Sequence, residues 1–148
     1  MADYVVDSNF FIQAHRFHYP MDVVPGFWSK VSELAHKGSI TSIDKVKNEI
    51  YDSEDKLKQW CQSNLPVDFF QSTDDISDSY SALTEFMNDQ VADAWLVAFA
   101  YAYDKVVVTQ EVSEPGSKKK VKIPDACLPF NIRYLDMITL LRKLREQF

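Results

Sequence analysis

Residues 90–104 restrict the fold most strongly, because a helix in this segment is apolar on nearly every side. Its apolar members are Val91, Ala92, Trp95, Leu96, Val97, Ala98, Phe99 and Ala100. A helix without a polar face is normally buried, so other elements must cover it. The β-branched run at residues 105–109 follows at once and is the clearest predicted strand in the chain. This succession is typical of α/β proteins.

Shorter apolar runs, separated by helical stretches, occupy the rest of the chain. Further strands are predicted at residues 4–6, 39–41, 67–70 and 132–135. Helices are predicted from about residue 10 (capped by Ser8 or Asn9), and over residues 25–37, 43–61 (capped by Thr41 or Ser42), 76–87 and 137–145. Strands that alternate with helices predict an α/β fold. We expect one domain, residues 1–148, with a mostly parallel sheet of four or five strands and helices on both faces.

The charge balance excludes some functions. The formal net charge is −6, which disfavours a large surface that reads DNA sequence.

Acidic residues interrupt the amino terminus, so it does not resemble a signal peptide. No apolar run approaches the roughly 20 residues of a membrane span. Cys61 and Cys127 imply no disulfide framework, and we expect a reducing, cytoplasmic setting without membrane attachment.

Acidic residues occur where an α/β sheet binds ligands. Asp7 ends the first predicted strand, and residues 109–111 end the strand at 105–109. Ligands of open α/β sheets bind outside the carboxyl ends of the strands. Asp93 lies in the first turns of the apolar helix, where the helix dipole or a bound metal would offset the cost of its charge. A solvated first-turn aspartate is the simpler interpretation of Asp93 alone.

Two further acids are weaker candidates. Glu49 borders the apolar face of its predicted helix, although an ordinary surface charge is the simpler interpretation of Glu49 alone. Asp125 follows Pro124 after a polar loop, where a helix cap or turn residue is the simpler interpretation of Asp125 alone. Together with Asp7 and Asp93, these acids could hold one or two hard divalent cations. Such metals activate water and stabilise the leaving oxygen of a phosphodiester.

These segments resemble the PIN-domain nucleases. Residues 5–9, Val-Val-Asp-Ser-Asn, are similar to the opening strand of that superfamily. Residues 93–100 are similar to its central helix, in which an aspartate precedes an alanine-rich stretch, and residues 106–109 resemble the strand that follows. The resemblance is greatest to a little-characterised group of bacterial PIN-like toxins with an Ile-Pro-Asp segment near the carboxyl terminus, here residues 123–125.

The resemblance implies a PIN-like three-layer sandwich and a set of functional residues. The implied catalytic metal ligands are Asp7, Glu49, Asp93 and a final acid, with Asn9 and Thr109 as supporting polar residues. The superfamily usually has an aspartate very soon after the strand threonine, whereas Gln110 and Glu111 follow it here. Asp125 is our first choice for the final acid and Glu111 the second.

The resemblance also implies an activity and partners. It predicts an endoribonuclease that hydrolyses RNA with Mg²⁺ or Mn²⁺, acting as the toxin of a toxin–antitoxin pair. A cognate antitoxin is therefore an expected partner, and a homodimer is compatible with the same resemblance. The basic residues Lys118, Lys119, Lys120 and Lys122 lie between the two choices for the final acid. They would attract RNA phosphates, or else form an ordinary solvated loop.

Two alternatives remain at this point. A PIN-like fold without catalysis would act as a binding module, which the departure after Thr109 keeps open. A phosphoacceptor signalling domain also has an aspartate at a strand end. Such a domain needs an acidic pair after its first strand and a lysine at the end of a late strand. Ser8 and Asn9 follow Asp7, and Gln110 follows Thr109, so both features disfavour it.

Overall fold

The computed structural model describes residues 3–53, 55–87, 91–116 and 121–144. They contain a five-stranded, all-parallel sheet flanked by helices, as in a three-layer α/β sandwich. The strands are β1 (Tyr4–Val6), β2 (Ile40–Ile43), β3 (Phe70–Gln71), β4 (Val106–Val108) and β5 (Tyr134–Leu135). The helices are α1 (Ser8–Gln13), α2 (Pro25–His36), α3 (Asp44–Ser53), α4 (Asp55–Asn64), α5 (Ser77–Met87), α6 (Val91–Tyr103), α7 (Ile123–Cys127) and α8 (Met137–Lys143). The predicted fold class is confirmed.

The order of the strands determines where a ligand site can form. Across the sheet the order is β3-β2-β1-β4-β5. Tyr4 of β1 pairs with Ile40 of β2 on one side and with Val106 of β4 on the other. Along the chain, β2 and β3 are therefore added on one side of β1, and β4 and β5 are then added on its other side. The crevice at such a reversal is the usual binding position in open α/β sheets.

The core forms around the elements that the sequence identifies most clearly. Val107 and Val108 of β4 and Val5 and Val6 of β1 are fully buried. Helix α6 is buried over most of its length, as its composition predicts, with five consecutive core positions from Leu96 to Ala100. Because α6 packs on β2 and β4 and also on α3, α5 and α7, most of it is covered, and only its last turn, with Tyr101 and Tyr103, is exposed.

The predicted helix at 43–61 is wrong, because two separate helices, α3 and α4, occupy that region. Ile43 is fully buried in β2 and does not begin a helix. Thr41 and Ser42 also belong to β2, so neither is a helix cap. The Ser42 hydroxyl instead donates to the Val6 carbonyl at 2.6 Å. Pairing with the neighbouring strand therefore overrides the local helical pattern.

Other boundaries differ by a few residues. The strand predicted at residues 67–70 is only Phe70–Gln71, because a turn with a Phe69 N–H to Pro66 carbonyl bond of 3.1 Å precedes it. Helix α2 ends at His36, and Gly38, the predicted stop, follows its C-cap Lys37 with a φ of +78° that suits glycine. The short helix α7 was not predicted, because five residues are too few for a helical periodicity.

Both cysteines are buried as free thiols, in agreement with the absence of a predicted disulfide framework. Burial raises the pKa of Cys61 and of Cys127 to about 12. Neither thiol is therefore activated as a nucleophile, which depends on the thiolate form. Among the helices in the described ranges, none has the length and apolar character needed to span a membrane.

Candidate active site

Asp7 is buried at the carboxyl end of β1. Its backbone N–H donates to the Val108 carbonyl of β4 at 3.1 Å, so the residue lies at the reversal of strand order. One carboxylate oxygen, Oδ1, accepts the Phe10 N–H at 2.9 Å, which makes Asp7 the N-cap of α1. The expectation that Ser8 or Asn9 caps this helix is wrong, because both residues lie within α1.

The other carboxylate oxygen of Asp7 faces β4. The Thr109 hydroxyl donates to Oδ2 at 2.7 Å, and Thr109 is itself buried directly after the strand. The same hydroxyl oxygen accepts the Glu111 N–H at 3.1 Å. One side chain therefore links the ends of two adjacent strands to the start of the following loop. Thr109 thus contacts the acid that it was predicted to support.

The electrostatic environment of Asp7 is unusual for an aspartate. Desolvation by burial raises its pKa from 3.8 to about 7, against the hydrogen bonds from Thr109 and Phe10, which lower it. The negative charges of Asp93 and Glu111 raise this pKa further. Like charges raise a carboxyl pKa noticeably only when they are close. Asp93 of α6 and Glu111 after β4 therefore belong to the same acidic region as Asp7.

Glu49 joins this region through the residue that follows Asp7. The buried Ser8 hydroxyl donates a hydrogen bond to Glu49 Oε1. Glu49 is on the exposed surface of α3, and α3 packs on α1, which brings its carboxylate to the first turn of α1. Sequence reasoning treated Ser8 only as a helix cap. Nothing in the sequence pattern signals a hydrogen bond between residues so far apart in the chain.

The two choices for the final acid have different surroundings. Glu111 Oε1 accepts the Ile123 N–H at 2.8 Å, which ties the loop after β4 to the start of α7. Asp125 accepts the Ser113 hydroxyl and the Glu114 N–H, both at 2.6 Å. Asp125 therefore binds the outer part of the same loop. The charges that raise the pKa of Asp7 include that of Glu111 but not that of Asp125.

The remaining sequence candidates are less informative. Asn9 is half-buried in α1. Lys122 is half-buried at the residue before α7, where its carbonyl accepts the Ala126 N–H at 3.0 Å. Residues 118–120, the other proposed RNA-binding lysines, lie outside the described residues.

The donor chemistry suits a hard divalent cation. Carboxylate oxygens are the ligands that Mg²⁺ and Mn²⁺ prefer. Each Asp7 oxygen accepts one hydrogen bond. A carboxylate offers about four lone-pair sites, so Asp7 retains capacity for a cation. Across the ranges that the structure describes, no three His, Cys, Asp or Glu side chains already stand in a metal-holding arrangement. The acids are therefore neighbours of suitable chemistry and not a formed cage.

Fold and site together define a class of protein: a parallel α/β domain with a buried aspartate and neighbouring acids at its reversal of strand order. The chain belongs to the family described as domain of unknown function (DUF4411), whose model matches residues 4–148. None of the curated proteins compared with the chain matches it. The family's description names no activity, so the function must be argued from the site.

Proposed function

We propose that this protein is a metal-dependent ribonuclease of the PIN-like type, with its active centre at Asp7. One observation carries the proposal: a buried carboxylate at the reversal of strand order, on which the charges of Asp93 and Glu111 act. Burying an acid among other acids is unfavourable without a compensating cation. A divalent metal offsets that repulsion, which gives the arrangement a chemical reason.

In this proposal Asp7 is the central ligand. Its geometry is set by the Phe10 N–H and the Thr109 hydroxyl, which hold one oxygen each. Asp93 approaches from α6, where the positive end of the helix dipole favours a carboxylate in the first turn. Glu49 takes part from α3 and is oriented by the Ser8 hydroxyl.

We assign the fourth position to Glu111 in preference to Asp125. The charge of Glu111 acts on Asp7, and its backbone N–H binds the Thr109 hydroxyl that also contacts Asp7. Asp125 is engaged by Ser113 and Glu114 in the outer loop. In this assignment Asp125 shapes the loop that carries Glu111.

The chemistry follows from the donor set. Bound Mg²⁺ or Mn²⁺ would supply an activated water and charge stabilisation at the leaving oxygen of an RNA phosphodiester. The chain's own acids position that cation, and buried Thr109 positions Asp7. With a metal-activated water, no separate side chain is needed as a general base. The antitoxin partner and the homodimer that the PIN resemblance implies remain predictions, as does the cytoplasmic location expected from the cysteines.

The test is cleavage of single-stranded RNA by the purified protein with Mn²⁺ or with EDTA. We expect cleavage only with the metal. It should be lost in Asp7→Asn and Asp93→Asn, and Glu111→Gln should reduce it more than Asp125→Asn does. Removing a group that stabilises transition-state charge typically costs about 100-fold or more in rate. Asp22→Asn, a change at an exposed loop acid, is the matched control and should leave the rate unchanged.

The outcomes separate the alternatives. Cleavage that persists in EDTA or in both aspartate variants would refute a metal centre at Asp7. If wild-type protein binds RNA but cleaves none with any divalent metal, the chain is a PIN-like binding module and the enzyme proposal fails. Equal losses in Glu111→Gln and Asp125→Asn would contradict our assignment of the fourth position.

A further inference from the structure

A cavity lies at the amino-terminal ends of the strands, whereas Asp7 lies at their carboxyl ends. It has a volume of about 300 Å³ and is bordered by the first residues of β2, Ile40 and Thr41, and by Phe69 just before β3. Lys105, directly before β4, completes this side. Asp7 and Thr109 follow the last residues of their strands, whereas these residues lie at the strand starts. The cavity is therefore separate from the acidic region.

Lys105 is the unusual member of this lining. It is only 8% exposed, although lysines are almost never so buried without a partner. Within the described ranges, no acidic side chain forms an ion pair with Lys105. Because its Nζ is not a fully buried atom without a partner, the ammonium group reaches solvent, and an anion that enters the cavity can form an ion pair with it.

The other polar groups of the cavity limit the ligand to one anionic group. The Thr41 hydroxyl is committed to the Phe69 carbonyl at 2.6 Å, and the Gln71 side-chain amide donates to the Asp68 carbonyl. The exposed Asp68 side chain and the net charge of −6 oppose a polyanion. A ligand with a single negative charge, located against the Lys105 ammonium group, is therefore favoured.

The remaining walls are apolar. They include Ala35 at the end of α2, Ile40, Pro66 and Phe99 of α6. Ligand cavities of this kind are mostly apolar with few polar groups that orient the ligand, and their volumes begin near 300 Å³. The walls would cover an apolar body attached to the anionic group.

We propose that this cavity binds a small monocarboxylate with a short apolar body, its carboxylate on the Lys105 ammonium group. The proposal does not depend on nuclease activity, because it uses neither Asp7 nor its acidic neighbours. It rests on the joint presence of a cavity, apolar walls and a buried lysine that has no acidic partner among the described residues.

The experiment measures binding of hexanoate by titration calorimetry and by the shift in thermal unfolding temperature. Acetate lacks the apolar body, 1-hexanol lacks the charge, and inorganic phosphate carries too much charge. We expect hexanoate to bind and to stabilise the protein more than the other three probes do. Lys105→Met should weaken hexanoate binding about tenfold or more, as expected for a lost charge-assisted contact. Lys56→Met, at an exposed lysine of α4, should leave binding unchanged.

A second variant keeps the test decisive if Lys105→Met fails to fold. Ala35→Leu narrows the cavity without changing any charge and should also weaken hexanoate binding. Unchanged affinity in whichever of these variants folds would overturn the proposal. So would the absence of hexanoate binding to the wild-type protein at millimolar concentration, or tighter binding of phosphate than of hexanoate.

Discussion

Replacing Asp7 with asparagine removes a buried charge and leaves the local hydrogen bonding nearly intact. The amide oxygen can still accept the Phe10 N–H, and the amide nitrogen can donate to the Thr109 hydroxyl oxygen. The wild-type pKa of about 7, raised from 3.8, means that the folded protein resists ionisation of this carboxyl. Ionised Asp7 therefore destabilises the fold in the absence of a cation.

The direction of the pH dependence follows from proton binding. Between pH 4 and 7 the folded state holds the Asp7 proton more tightly than the unfolded state does. Wild-type stability should therefore fall as pH rises through this window, by at most roughly 4 kcal/mol from this group. Asp7→Asn lacks the titration, so its stability advantage should be near zero at pH 4 and largest at pH 8. For a domain of this size that advantage corresponds to a rise on the order of 10 °C in Tm.

The assay is urea unfolding of both proteins in EDTA at pH 4, 6 and 8, repeated at pH 8 with Mn²⁺. Saturating metal should stabilise the wild type, because a cation that binds only the folded state shifts the equilibrium. The variant should gain much less. If Asp7→Asn is no more stable than the wild type at pH 8 in EDTA, the buried charge is not unfavourable and the reasoning fails. Equal stabilisation of both proteins by Mn²⁺ would remove Asp7 from the metal site.

Three further predictions are independent of RNA cleavage. Thr109→Val removes a donor to the Asp7 carboxylate and so raises its pKa in the fold, and the pH window in which stability falls should extend to higher pH in the same urea experiment. Asp136→Ala removes the side-chain cap of α8 and should lower the free energy of unfolding by about 1 kcal/mol. Because the pKa of Asp136 is lowered in the fold, this loss should diminish at low pH. Cys61 and Cys127 should resist iodoacetamide at pH 8 in the folded protein and react in urea; rapid native alkylation, followed by mass spectrometry, would contradict their burial.

The sequence predicts the fold well where burial alone determines structure. The valines of β1 and β4 and the apolar helix α6 are recognisable because each is enclosed by other elements. The prediction fails at residues 43–61, where Ile43 fits a helical pattern but belongs to β2 and pairs with Gln71 of β3. Pairing between distant segments is absent from a local pattern, so β2 could not be delimited in this way.

The site is predictable to the extent that it lies on regular elements. Asp7 directly follows β1 and Asp93 lies in the first turn of α6, so their positions follow from periodicity together with the rule for parallel sheets. The final acid lies in a loop, where residue spacing does not show in which direction a side chain points. The hydrogen bonds of Glu111 to Ile123 and of Asp125 to Ser113 separate the two acids, and neither contact is visible in the sequence.

The identity of residue 7 separates folding from function. Capping α1 needs only an oxygen that accepts the Phe10 N–H, and asparagine, serine or threonine would provide one. None of these would add a buried charge whose pKa is raised by desolvation and by two further acids. The charge therefore opposes folding while the cap supports it. A protein that retains an ionisable group at such a position gains something other than stability, and stability is commonly lost at sites that bind or catalyse. A cation shared by Asp7 and its acidic neighbours would offset the cost, which is why metal-dependent stabilisation tests the proposal more directly than cleavage of any one RNA.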